Sequence, residues 1–222
     1  IRWLLGQTYY PQNSYTRRPD GSPIRPYDMS GDVMAEFMGI DVQPASTLPD
    51  ATMEVVDEGE IVPMGRVARG SEGFHLDGRL NEDVWQTAPP ATRFTQLDHF
   101  EGEPGTQDTE IRILFDDEAI YVGAILRDDL GVSTRLGRRD AWLLDSDWLT
   151  VSLDSYDDNQ TGYKFQVNPS GVRSDEALSG GQDRRGDDSW DPVWEAATHV
   201  NGTGWVAEVR IPFSQLRFRN SE

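Results

Sequence analysis

The chain has 222 residues, a net charge of -19 and no cysteine. The absence of Cys excludes disulfide frameworks, thiolate metal sites and thiol chemistry. The negative field disfavours phosphate backbones and anionic lipid heads as partners, and leaves cations and neutral, hydroxyl-rich molecules.

Residues 1–57 are dense in punctuation, with Tyr9-Tyr10-Pro11, Arg18-Pro19-Asp20-Gly21, Pro23 and Pro26. Such a stretch leaves little room for regular structure and reads as an irregular arm. Ser30 is placed to cap one short helix over 31–38, with Val33, Phe37 and Met38 on one face and Gly39 at its end. Residues 44–60 read as a linker or edge segment. Residues 58–222 read as a domain of another kind, all-β. A short helix is expected over 82–87. Ile111, Ile113 and Phe115 then alternate with polar residues, and Asp116-Asp117-Glu118 turns the chain into an apolar strand over 119–126. Leu149, Val151 and Leu153 form the inward set of the next strand, and Tyr163, Phe165 and Val167 that of another. Asn168-Pro169-Ser170-Gly171 is a turn signal. Alternation returns over 205–211, followed by a helical turn at 214–216. Short strands joined by turn-rich loops imply a two-sheet antiparallel β-sandwich. Its interior is expected to hold Ile113, Phe115, Val122, Val151, Leu153, Phe165, Val167 and Val209.

These segments carry a resemblance. His75-Leu76-Asp77-Gly78-Arg79-Leu80-Asn81-Glu82-Asp83-Val84-Trp85 resembles the opening of the family 9 carbohydrate-binding modules. In that family's order follow the hairpin over 113–124, Asp147-Trp148-Leu149-Thr150-Val151, Tyr163-Lys164-Phe165-Gln166-Val167-Asn168-Pro169-Ser170-Gly171, Trp190-Asp191-Pro192-Val193-Trp194 and Gly204-Trp205-Val206-Ala207-Glu208. The resemblance spans about residues 65–220. It implies a carbohydrate-binding-module-like sandwich, a polysaccharide or glycan as partner, and no catalysis in the module itself. It also implies a larger parent protein, secreted, periplasmic or outer-membrane-associated, concerned with glycan binding or breakdown. Any signal peptide lies outside this sequence, which begins at Ile1. A weaker resemblance joins Ser22-Pro23-Ile24-Arg25-Pro26-Tyr27-Asp28 and Met38-Gly39-Ile40-Asp41-Val42 to a segment downstream of the catalytic domain in bacterial zinc-carboxypeptidase-like proteins. None of that family's catalytic residues carries over, because each His here sits in His-x-x-Gly.

Sugar rings present apolar C–H faces that stack on indoles, while planar polar groups read the hydroxyls. Trp85 and Trp205 sit inside regular patterns and read as core. Trp142 and Trp190, in polar loops, are the candidate platforms, with Trp148 and Trp194 behind them. Arg138, Arg139 and Asn168 are the candidate hydroxyl readers; the plainer reading pairs the arginines with neighbouring carboxylates. Asp154, Asp157 and Asp158, and separately Asp187 and Asp191, crowd two loops with oxygen ligands that suit Ca²⁺. Solvated acidic turns are the alternative. No phosphate-loop, dinucleotide, Gly-x-Ser-x-Gly or His-x-x-x-His motif is present. Haem ligation finds no support either, since all five Met precede the stretch of the family resemblance. The rival to sugar binding is a structural or docking module that binds no sugar.

Overall fold

The computed structural model describes residues 2–8, 37–38, 41–44, 53–57, 60–63, 65–66, 75–96, 104–141, 145–156, 158, 160–179 and 186–218, and only the backbone of those within 2–66 and of 95–96. Among the described residues, fourteen strands follow in chain order: β1 (Arg2–Thr8), β2 (Phe37–Met38), β3 (Asp41–Pro44), β4 (Met53–Asp57), β5 (Glu60–Pro63), β6 (Gly65–Arg66), β7 (Thr95–Gln96), β8 (Thr109–Phe115), β9 (Ala119–Arg127), β10 (Trp148–Asp154), β11 (Gly162–Val167), β12 (Arg173–Leu178), β13 (Glu195–Asn201) and β14 (Gly204–Pro212). Short 3₁₀ turns over Asp83–Thr87 and Phe213–Gln215 match the two helical segments expected from the sequence.

Two sheets form the sandwich. One has the order β1-β10-β11-β12, the other β13-β14-β9-β8-β6. All pairings are antiparallel except β6 with β8, which is parallel. The inner faces meet in one apolar cluster. It contains all eight residues expected inside, together with Ile120, Leu126, Leu149, Trp194, Trp205 and Ile211. β-Branched and aromatic side chains fit the pleat and fill the space between the layers.

The turns show why these strands begin and end where they do. The Asp116 carboxylate accepts the amides of Glu118 (2.7 Å) and Ala119 (2.8 Å) and the hydroxyl of Tyr121 (3.0 Å). That closes the β8–β9 hairpin. After β11, Asn168 Oδ1 accepts the amides of Ser170 and Val172, and Gly171 takes φ +77°. A left-handed residue there costs glycine nothing.

A second, smaller apolar cluster lies on the outer face of the second sheet. There Trp85 and Ala88 cover Leu114, Ala119 and Tyr121. Glu208 on β14 anchors this cover. Its Oε2 accepts the amides of Asp77 (2.8 Å), Gly78 (2.7 Å) and Arg79 (3.3 Å), and its Oε1 accepts Trp85 Nε1 (3.2 Å). The stretch that opens the family resemblance is therefore a strap pinned across three strands.

Three expectations need correction. Arg2–Thr8, inside the stretch read as irregular, forms β1 and pairs in antiparallel register with β10, Leu5 opposite Val151. The run Arg2-Trp3-Leu4-Leu5 holds no Pro and precedes the punctuation. Phe37 and Met38, placed at the end of a helix, are a strand paired with Thr95–Gln96; residues 31–36 lie outside the described residues. Residues 44–60, read as a linker or edge segment, hold β4 with the last residue of β3 and the first of β5, which pair as a three-stranded meander, so the linker alternative gives way. The meander's prolines fall at strand ends, where a missing N–H costs little. The stretch with the second resemblance lies largely outside the described residues.

Candidate functional site

Asp175 organises the rim at the β12 edge of the first sheet. It stands opposite Phe165 in register, so its side chain points with the phenyl ring toward the sandwich interior, and it is 1% exposed. Its Oδ1 accepts Trp194 Nε1 (2.8 Å) and Arg139 Nη2 (2.5 Å). The same Nη2 reaches the carbonyl of Pro192 (2.7 Å) and Asp191 Oδ1 (2.9 Å). Arg139 Nε lies 3.7 Å from Asp140 Oδ2. One guanidinium thus ties the 138–141 turn to β12 and to the loop ahead of β13.

Backbone contacts hold that turn in place. Asp140 takes φ +61°, its amide donates to the carbonyl of Arg173 (2.9 Å), and its Oδ1 accepts the amide of Asp175 (3.2 Å). Two buried polar atoms there have no hydrogen-bond partner: Asp175 Oδ2 and Arg139 Nε. Burial raises the pKa of Asp175 above the ordinary carboxylate range, although Trp194 and Arg139 both favour its charged form.

Trp190 sits beside this cluster. Its ring centroid is 4.6 Å from Tyr163, tilted by 36°, and 5.6 Å from Phe165, edge-on. The indole is half-buried, so it both seals the sandwich edge and offers surface. Trp194 is fully buried, edge-on to Phe165 at 5.4 Å, with the Arg173 guanidinium 5.5 Å from its ring centroid. Arg173 also donates to the carbonyl of Trp194.

The candidate residues separate accordingly. Arg139 reaches Asp191 and Pro192, the two residues that follow Trp190 in the chain. Arg138 is exposed at the same turn, where its carbonyl accepts the amide of Ala141 (3.2 Å). Asn168 is fully buried; its Nδ2 donates to the carbonyl of Arg135 (2.7 Å) and to Ser146 Oγ (3.1 Å), and its Oδ1 accepts two amides. All its capacity is spent on the turn, so it has nothing left for a sugar hydroxyl. Trp142 lies outside the described residues. Trp148 and Trp194, held in reserve as platforms, are buried, and Trp85 and Trp205 are core as expected.

The acidic loops cap themselves. Asp154 Oδ1 accepts the amides of Tyr156 and Asp158, while Asp158 accepts those of Gln160 and Thr161 and the Thr161 hydroxyl. Asp187 accepts the amide and hydroxyl of Ser189, which hold its pKa below the ordinary range. Asp191 pairs with Arg139. Asp157 lies outside the described residues. Among the described residues, no three carboxylates or histidines cluster in a way that could hold a metal ion.

Sequence reasoning missed Asp175 and Glu208. Each sits in a strand where a single acid reads as a solvent-facing position. Asp175 has no sequence signal of its own, because it stands in the polar run Arg-Ser-Asp-Glu that makes up most of β12.

A family model described as "Carbohydrate family 9 binding domain-like" matches residues 76–222. No curated protein is significantly similar to the chain. Two similar solved structures are of a carbohydrate binding module family 9 from Caldicellulosiruptor kristjanssonii. The one in complex with cellotriose is 18% identical, with a TM-score of 0.46, and 67% of each chain is covered. The one in complex with glucose is 17% identical, with a TM-score of 0.47, covering 70% of this chain and 73% of that one.

Proposed function

The chain belongs to the carbohydrate family 9 binding domain-like family, and on that premise we propose that it is a non-catalytic glycan-binding module whose ligand meets the rim formed by Trp190 and the 138–141 turn. The observation that carries this placement is the Arg139 bridge. It ties the polar turn to Asp191 and Pro192, the residues that follow the half-buried Trp190, and so brings fixed polar groups to the segment that carries a stacking surface. Trp142 follows this turn directly in the sequence and is proposed as the second aromatic wall. The parent protein is read as secreted or surface-associated and engaged in glycan binding or breakdown. Among the described residues no helix is long and apolar enough to cross a membrane.

A glycan array probed with the full chain tests the reading. Binding to neutral glycans that is lost in the Trp142→Ala, Trp190→Ala double variant supports it. A chain that binds no glycan refutes it.

A structural or docking module is the second reading. It is favoured by the way Trp190 folds back onto Tyr163 and Phe165 to seal the sandwich edge.

A further inference from the structure

Resting on the sugar-binding reading of this rim, we propose that Asp175 is a specificity-determining positioning residue: it holds and neutralises Arg139 from the buried side, and so tunes the site to neutral sugars and against uronates. An unpaired Arg at a sugar site is a receptor for carboxylates, because its planar fork grips both oxygens. Here the guanidinium charge is already countered: its Nη2 alone meets Asp175 Oδ1, Asp191 Oδ1 and the carbonyl of Pro192. Asp175 at 2.5 Å, Asp191 at 2.9 Å and Asp140 at 3.7 Å surround a single guanidinium. The pair with Asp175 cannot swing apart into water. Its carboxylate is buried, and Trp194 Nε1 fixes the same oxygen at 2.8 Å.

The other described cations do not restore the balance. Arg173 is engaged with the carbonyl and ring face of Trp194. Arg138 is one exposed cation at the turn, and Asp187 and Asp188, exposed just ahead of Trp190 in the chain, carry two opposing charges. A uronate would have to displace Asp191 and face the remaining acids. A neutral hydroxyl avoids that conflict, because it both donates and accepts. It can donate to a rim carboxylate and accept from Arg139.

The test compares cellotriose with its analogue in which each C6 hydroxymethyl is oxidised to a carboxylate, titrated against the full chain. The unmodified protein is expected to favour cellotriose by about tenfold or more at low salt, the scale of one unit charge at close range in a partly screened site. Asp175→Asn keeps an oxygen for Trp194 but removes the charge, and should narrow the preference by roughly fivefold. The narrowing should fade at high salt. Asp191→Asn, at an exposed position that leaves the fold intact, should shift the ratio the same way by less. An unchanged ratio in both variants, with cellotriose still bound, overturns the role of Asp175 and leaves the sugar-binding reading standing. A chain that binds neither these ligands nor any glycan of the array overturns both; one that binds another neutral glycan is compared on that glycan and its uronate in the same way.

Discussion

The indole of Trp85 occupies the space above Gly123 that a side chain would need. A Cβ at 123 would lie 2.9 Å from Trp85 Cζ3 and 2.6 Å from Leu80 Cδ2. Gly123 stands between Arg112 and Glu208 in one row across β8, β9 and β14. Arg112 Nη1 donates to the carbonyls of Trp85 (3.2 Å) and Ala88 (2.6 Å), and Glu208 takes the indole N–H. The strap over 75–88 is thus clamped from both sides onto the one position in the row that lacks a side chain.

Gly123→Ala should therefore destabilise the fold by about 1–3 kcal/mol, the usual cost of forcing a methyl into a filled space. Glu208→Gln should cost about 2 kcal/mol, because an NH₂ group then faces amides that need an acceptor. Denaturant melts of both variants check this. Wild-type midpoints would show that the strap is not held as described.

Burial raises the pKa of Asp175 above the ordinary carboxylate range. The folded state therefore holds that proton more tightly than the unfolded state does. The stability linked to the group is fully present at pH values below the ordinary range and is lost as pH rises through the raised folded value. Asp175→Asn removes this dependence. The melting temperature of the variant, relative to wild type, should rise between acid and neutral pH. A constant difference across that window would mean that Asp175 titrates normally. Glu208, also raised by burial despite the Gly78 and Asp77 amides, should contribute with the same sign.

Removing residues 1–57 strips β1 from the edge of β10. The shortened chain should still melt cooperatively, because the described core runs from Trp85 to Leu216. It should melt at a lower temperature and self-associate more readily through the exposed edge. Loss of a cooperative transition would make the N-terminal segment part of the folding unit.

The acidic loops offer a calcium test. Asp154, Asp158 and Asp187 already accept amide and hydroxyl donors of their own loops. Millimolar Ca²⁺ should therefore raise the melting temperature no more than NaCl of equal ionic strength. A larger, chelator-reversible rise would establish a calcium site.

Much of the sandwich was legible because alternation leaves a period-2 trace. Ile111, Ile113 and Phe115, or Leu149, Val151 and Leu153, reveal their face directly. β12 and β13 left almost none. They lie toward the sheet edges, where polar residues such as those of Arg-Ser-Asp-Glu are tolerated. β1 was hidden for another reason: its partner β10 lies some 140 residues along the chain, and no local pattern announces such a pairing. In the site, Arg139 and Trp190 were visible as loop residues of the right chemistry. Asp175 was not, because what makes it unusual is burial, and burial of a lone acid depends on what folds over it. Asn168 misled for the same reason, since its amide reads as available until the turn it closes is seen.

The central claim is that Trp190 is a sugar platform, and the most direct measurement is the affinity of the full chain, with and without that indole, for the neutral glycan it binds most strongly on the array. Because Trp190 also packs on Tyr163 and Phe165, the variant Trp190→Ala is first shown to be folded by its melting curve. Wild type is expected to bind, weakly and with little salt dependence, since the ligand is neutral. Trp190→Ala is expected to lose about 1–2 kcal/mol, roughly five- to thirtyfold in affinity, the scale of one stacking contact. A folded Trp190→Ala variant that binds that glycan as well as wild type would contradict the account.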